Sequence, residues 1–506
     1  MEDEIKKLNE LVRDLNKTKD FFYDYIKNLK SSIHIYTHLD ADGLSSGGIL
    51  GKALYRARIP FQITILRQLE REEIEKIGEE VKKFNTFTIF ADFGSGQCLE
   101  LEKKLLHNDR LASFIVLDHH IPQDIPNKDE LELLKELHER TNPWHINPYF
   151  HNIDGSTEIS GAGICYYFAK CIDPGNIDLS PLAIIGAIGD IQNQGPNRSL
   201  KGINVQILED AINAELIEVV DDLNFSSIKP LNEAIAYSTE IKLPGLTNDA
   251  SKTFKFLQTL GILMENPKGE IKTLAALSRD EKQKISSAII EYSTIKLGIE
   301  PKEIVDKLIA KKYLLKSEPV GSILHDSNEF SNLLNSCGRM ENGSLGIAIS
   351  MGDRKNAFHE AEKNLTDYKK SILQALSWIH EKQKIQVMEN IQYFFGEEVI
   401  PENIIGTIAT MLIFDASGKV DKTKPIFGCA KRIKEDAYKI SARAHESIVD
   451  KGVNLSEAIR EASELSNVNE LGGGHPPAAG TKVPVDKIDI FLKNCDIVIR
   501  RQLQNK

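Results

Sequence analysis

In the first 120 residues, short apolar runs rich in β-branched side chains repeatedly give way to helical patterns. The run "SSIHIYTH" is followed by the helical "GLSSGGILGKALYRA", and the same unit recurs from "FQITIL", from "TFTIFADFG" and from "VLDHH". A hydrophobic period that keeps switching from 2 to 3.6 predicts strands alternating with helices. Such a chain is built for a parallel sheet, because each helical crossover returns it to the same end of the sheet. Ligands of these sheets gather beyond the carboxyl ends of the strands. Three of the predicted ends carry acids or imidazoles: His38, Asp40 and Asp42 in "THLDADG", Asp92 in "FADFG", and Asp118, His119 and His120 in "VLDHH". A fourth is read from "LAIIGAIGDIQNQG", an apolar strand stopping at Asp190.

A chain of 506 residues exceeds one ordinary core, so two to four domains are expected. The formal charge of -11 argues against holding nucleic acid through a bulk positive field, although a local basic groove or bound cations would reverse the sign where it matters. Six cysteines lie far apart with no C-x-x-C pair, which excludes a zinc knuckle and a disulfide framework and points to a reducing compartment. The mixed-charge start has no apolar h-region, and no apolar run reaches the ~18 residues of a membrane span, so a cytoplasmic protein without a membrane partner is expected.

Residues 206–320 read as a helical connector after a catalytic domain of 1–205. From 321 to 506 a second, smaller α/β domain is expected, with strand-like "SLGIAISMGD" and "NIIGTIATMLIF", a helical insertion near 355–400, and the glycine-rich "LGGGHPPAAG".

Chemistry explains the acids and imidazoles. A two-metal hydrolytic site needs carboxylates that bridge ions, imidazoles that complete their shells, and open positions for water and substrate. His38, Asp40, Asp42, Asp92, His119 and Asp190 supply that set, and their spacing in extended backbone would point His38, Asp40 and Asp42 to one face. Imidazole and carboxylate without thiolate favour Mn(II) or a related divalent ion over structural zinc. Each motif alone has a blander reading: "DADG" is a common helix cap or turn, Asp92 a turn aspartate, "DHH" a solvated loop. Four such turns following four strands in this order are not expected. Gly472, Gly473 and Gly474 with His475 read as a backbone nest open to phosphate, the alternative being a tight turn. Arg339 in "CGRM" and Arg443 in "ISARAH" are candidates for substrate contact, since a planar guanidinium suits phosphate.

Together, "HLDADG", "ADFG", "LDHH" and "GDIQNQ" resemble the four motifs of the DHH phosphoesterase family, and "LGGGHPPAAG" resembles the hallmark of its DHH-associated substrate-binding domain. "INPYF", "STEISGAG", "HDSNEFSNLLNSCGRM" and "KISARA" are similar to the archaeal RecJ-like group that includes the GINS-associated nuclease. The resemblance implies two divalent ions, with Mn(II) expected first and Mg(II) or Co(II) as alternatives. It implies His38 and Asp40 on one ion, Asp42, His119 and Asp190 on the other, and Asp92 bridging. Asp118 would orient an imidazole, and His120 would face the scissile phosphate. The activity implied is exonucleolytic release of mononucleotides from single-stranded DNA or RNA in replication or repair. Two alternatives remain open: a GINS-bound replisome scaffold with little turnover, and a phosphodiesterase for short oligonucleotides or cyclic dinucleotides.

Overall fold

The computed structural model describes residues 2–27, 33–105, 113–122, 130–238, 241, 243–247, 249–266, 269–414, 420–432, 435–468 and 472–504. Ser31, Ser32 and Leu471, at the ends of quoted segments, lie outside them. The chain forms two compact units, Met1–Glu362 and Lys363–Lys506. It is a mixed α/β protein with a parallel sheet in the first and a second sheet in the other.

The first sheet has five parallel strands, β1 (Ile33–His38), β2 (Phe61–Leu66), β3 (Phe87–Ala91), β4 (Phe114–Leu117) and β5 (His145–Ile146), in the order β2-β1-β3-β4-β5. This order reverses direction between β1 and β3, and the crevice at such a switch point is where doubly wound sheets take their ligands. β1, β3 and β4 are buried almost throughout, as expected of strands covered by helices on both faces. The register then aligns the chemistry. Thr37 pairs with Ala91 and Ala91 with Leu117, so His38, the last residue of β1, lines up with Asp92 and Asp118, the first residues beyond β3 and β4.

Two predicted strands of the first unit are helices. "SPLAIIGAIG" forms the buried helix Ser180–Gly189, with Pro181 in its first turn, and Asp190 is its C-cap rather than a strand end. An apolar run without alternation does not distinguish the two by period, and proline at the first turn favours the helix. "GSLGIAIS" likewise forms the helix Gly343–Ser350. This helix and Ser327–Arg339 pack on the helix Ala41–Arg56, which puts residues 321–362 in the first unit and its boundary at 362/363 rather than 320/321. Asn335 seals the junction: its side-chain oxygen accepts from the Ala41 amide at 3.0 Å.

The expected connector is a folded body. β6 (Ile217–Leu223) and β7 (Ile309–Leu315), missed in the sequence, pair antiparallel around helices Leu231–Ala236, Ala250–Thr259, Arg279–Leu297 and Pro301–Leu308. Leu223, Leu231, Ile285, Ile289 and Leu308 belong to its own buried cluster.

In the second unit β8 (Gln386–Val387), β9 (Gln392–Phe395), β10 (Ile426–Lys431), β11 (Ala437–Arg443), β12 (Gly473–His475) and β13 (Ala478–Pro484) form a six-stranded sheet, order β12-β13-β11-β10-β9-β8, parallel only between β9 and β10. The long helix Asn356–Glu381 falls where a helical insertion was expected, and "IGTIATMLI" is a helix, Ile405–Ile413, not a strand.

Candidate metal centre

Asp40 performs two tasks. It ends the chain's exit from β1 as the N-cap of the helix Ala41–Arg56, one oxygen accepting from the Gly43 amide at 3.0 Å, while the other lies 2.9 Å from His38 Nδ1. The helix-cap reading of "DADG" holds, and the same carboxylate keeps its second oxygen beside His38. Asp42 is not a third prong on extended chain: it stands in the first helical turn.

Asp42 is anchored from across the site. Its carboxylate oxygens accept from the Gly161 and Ala162 amides, at 2.7 and 3.0 Å, at the start of the helix Gly161–Ile172. Amides of a first helical turn, which have no partner within the helix, suit an anion. Asp92 follows β3 in left-handed backbone, φ +64°, held by its amide donating to Leu117 at 2.9 Å. A non-glycine residue in that region stores strain that is commonly found at functional sites.

Around Asp92 the side chains converge. His119 Nε2 is 3.2 Å from Asp92, 3.7 Å from Asp42 and 3.7 Å from Asp190, while His38 Nδ1 is 3.6 Å from Asp92. Two ligand-capable groups result, His38 with Asp40 and Asp92, and Asp42 with His119 and Asp190, each with its donor atoms within 4.8 Å of one another. Both Asp92 oxygens, His119 Nε2 and His38 Nδ1 are buried without a hydrogen-bond partner. Buried polar atoms that face a common centre yet bond to nothing cost free energy unless a cation completes them. The donor set, all imidazole and carboxylate, fits divalent ions.

The electrostatics agree with that deficit. Burial, then the neighbouring carboxylates, pushes Asp42 well above the usual carboxylate range, and burial with Asp92 and Asp40 nearby raises Asp190 to about 6. Burial also pushes Asp92 upward, but His119 and His38 more than offset it and hold the carboxyl low. Burial opposes charge on His119 and His38, yet the surrounding carboxylates raise both rings well above the ordinary value. Three crowded acids thus compete for too little positive charge.

The two histidines of the DHH segment have different orientations. His119 is buried, its Nδ1 set 2.7 Å from the Gly155 carbonyl, which accepts its proton and leaves Nε2 for the centre. His120 is 54% exposed and its Nδ1 lies 2.8 Å from Asp118. Asp118 in turn accepts from the Ser95 amide at 2.8 Å. Below it, Ser95 contacts His145 at 2.8 Å, and Asn147 donates to the Ser95 hydroxyl and to the His120 carbonyl. Gln192 donates to Gly155, Ile159 and Asp190, and its own oxygen accepts from Asn204 at 2.7 Å. Sequence reading assigned none of these supports a role, although "INPYF", "STEISGAG" and "GDIQNQ" contain Asn147, Gly161 and Gln192.

The remaining candidates lie elsewhere. Arg339 is exposed at the end of its helix in the first unit. In the second unit Arg443 donates to Thr410 and to the Ala442 carbonyl. The glycine-rich segment is a hairpin strand rather than a free nest: β12 pairs with β13, and added Cβ atoms would meet Gly480 O at 2.6 Å from Gly472 and Ala478 O at 2.4 Å from Gly474. Those two glycines serve the hairpin. A Cβ at Gly473 meets nothing within 4 Å, and His475 is exposed beside it.

Comparison with known proteins fits this anatomy. Family models match the DHH-CID domain at residues 226–309 and the DHHA1 domain at residues 389–500. The chain is 33% identical over 496 residues to the uncharacterized protein MJ0831 of Methanocaldococcus jannaschii, covering 98% of this chain and 99% of that one. In fold it is similar to CDC45 from Entamoeba histolytica, with a TM-score of 0.63 at 12% identity over 96% of this chain and 99% of the other. It is also similar to RecJ in complex with Mn2+ from Thermus thermophilus, with a TM-score of 0.54 at 15% identity over 96% of this chain. The match spans 55%, about half, of that RecJ chain. With its parallel sheet, its DHH segment at the switch point, and its DHH-CID and DHHA1 domains, the chain belongs to the DHH family, with a fold similar to that of RecJ.

Proposed function

We propose that the protein is a metal-dependent phosphodiesterase that releases mononucleotides from single-stranded DNA or RNA, serving replication or repair. The observation that carries this reading is the convergence of buried, unpartnered Asp92 and His119 atoms with His38, Asp40, Asp42 and Asp190 at the sheet's switch point. In it, His38 and Asp40 would hold one divalent ion and Asp42, His119 and Asp190 another, with Asp92 available to both. A pair of such ions, when bound, neutralises a phosphate and activates a water for attack. The likeness to a RecJ solved with Mn2+ supports Mn(II) as the ion, with Mg(II) or Co(II) the alternatives.

The chain's own residues do the rest. Asp118 fixes the exposed His120 ring toward substrate, where it stabilises charge on the phosphate or gives a proton to the leaving oxygen. Gly155 holds His119 in the tautomer that leaves Nε2 without a proton. Gly473 and His475, with Arg339 and Arg443, are assigned to grip on the polymer.

Single strands of DNA and RNA, labelled at either end and incubated with protein and Mn(II), should yield ladders ending in mononucleotides. Cleavage confined to dinucleotides would instead support the short-substrate alternative. One further reading is a replisome scaffold bound to GINS, with which the likeness to CDC45 is compatible, but a pure scaffold has no need of six intact ligand side chains. Co-elution with GINS of a chain that turns over no strand would favour it.

A further inference from the structure

We propose that Asp14, His138 and His151 form a second divalent-cation site, separate from the cluster at the strand ends, that takes Zn(II) and pins the N-terminal helix to the edge of the parallel sheet. Asp14 sits in the helix Glu2–Ile26, His138 near the end of the helix Glu130–Thr141, and His151 at the end of the helical turn Pro148–His151, just after edge strand β5. One ligand atom from each lies within 4.8 Å of the others.

The geometry suits a small cation. Asp14 Oδ2 is 2.8 Å from His138 Nε2 and 3.5 Å from His151 Nε2. Ligand atoms around tetrahedral zinc, bonded at ~2.0–2.2 Å, stand ~3.3–3.5 Å apart, so both Asp14 separations lie within ~0.7 Å of that spacing. The decisive atom is His151 Nε2. The ring is 4% exposed, the nitrogen points at the Asp14 carboxylate, and it has no hydrogen-bond partner.

The surroundings complete a ligand shell. The other Asp14 oxygen is held by Lys17 Nζ at 2.7 Å, an arrangement that orients a monodentate carboxylate. The Asn142 amide lies 2.9 Å from His138 Nε2, and turned end for end it presents an oxygen there. His138 is 25% exposed, so a water or an entering ion can reach the centre. Imidazoles outnumber carboxylates two to one here, whereas at the strand ends four carboxylates face two imidazoles, and it is this richer nitrogen ligation that suits Zn(II) rather than Mn(II).

The test titrates the full-length chain with Co(II), a visible probe of nitrogen and oxygen ligation. Four proteins are compared: wild type, Asp92→Ala, Asp14→Asn, and Asp92→Ala with Asp14→Asn. Asp14→Asn keeps an oxygen that accepts from His138, so the fold is preserved while the charged ligand is lost. The proposal expects Asp92→Ala to retain one equivalent with its visible absorption, and the double variant to lose both. His151→Ala should remove the same equivalent, and added Zn(II) should raise the melting temperature of Asp92→Ala but not of the double variant. Unchanged cobalt uptake on adding Asp14→Asn in either background overturns the site.

Discussion

Gly161→Ala should damage the metal centre through a single methyl group. Gly161 opens the helix Gly161–Ile172, donates its amide to Asp42 and faces Asp92 directly. A Cβ built there lies 2.6 Å from Asp92 Oδ1, 2.8 Å from its Cβ and 3.0 Å from its Cα. Ordinary carbon contacts begin near ~3.5 Å, so Asp92 or the helix start must move by roughly 0.5–0.9 Å. Overpacking of this kind costs about 1–3 kcal/mol of stability. Displacement of nearly 1 Å at a reacting centre costs about 10²-fold in rate. Gly163→Ala is the control two residues along: its Cβ meets only the apolar side chains of Ile159, at 2.8 Å, and Ile207, at 3.0 Å. Metal uptake by calorimetry, urea unfolding and hydrolysis of an end-labelled strand should be measured on both. The expected result is a similar loss of stability in the two variants, with metal affinity and turnover falling only in Gly161→Ala. Equal turnover in the two variants would refute the idea that Gly161 is small for the sake of Asp92.

His120→Ala should lower turnover about 10²–10⁴-fold while metal binding persists, whereas His119→Ala should lose metal; calorimetry showing the opposite pattern reverses the two roles. Gly473→Val, whose added atoms meet open space, should leave the hairpin folded and raise KM for long strands with little change in kcat. His475→Ala should make the slope of log affinity against log salt shallower by about 0.7, and an unchanged slope would remove His475 from the phosphate contact. His145, buried and held down to about 4 from its ordinary value near 6.5, contributes stability that is full above pH 6.5 and lost as pH falls toward 4, because the unfolded chain takes up the proton first. Urea midpoints at pH 7 and 4.5 should therefore differ less in His145→Gln than in wild type, and an identical acid dependence would show that His145 does not titrate in this way.

What the sequence revealed and what it concealed have physical reasons. The strands of the parallel sheet were legible because β-branched runs such as "FQITIL" sit between helical patterns, and acids at their ends marked the ligand crevice without any knowledge of strand order. Asp190 was found for the wrong reason. The run before it is apolar on every side, so its period is silent, and only Pro181 hinted at the helix that delivers the carboxylate from another direction. The unit boundary was misplaced because Ser327–Arg339 and Gly343–Ser350 bury their apolar faces on a helix nearly three hundred residues earlier in the chain, a pairing that local pattern does not encode. Gly155 and Gln192 were invisible as supports for a similar reason. One acts through a backbone carbonyl and the other through an amide shared by four partners, so neither leaves a signature of charge or spacing. "GGGHPP" showed the opposite failing: three glycines suggested one nest, whereas two are required by strand pairing and one is left facing open space.

The central claim is that Asp92 and its neighbours hold the ions that cleave a nucleic-acid strand. Its most direct test is single-turnover hydrolysis of a labelled single strand by wild type and Asp92→Ala, each stripped of metal and then titrated with Mn(II). The account predicts no cleavage by stripped wild type, recovery as Mn(II) fills the centre, and no recovery in a folded Asp92→Ala at any Mn(II) concentration. Cleavage by stripped wild type, or Mn(II)-dependent cleavage at the wild-type rate in Asp92→Ala, would contradict it.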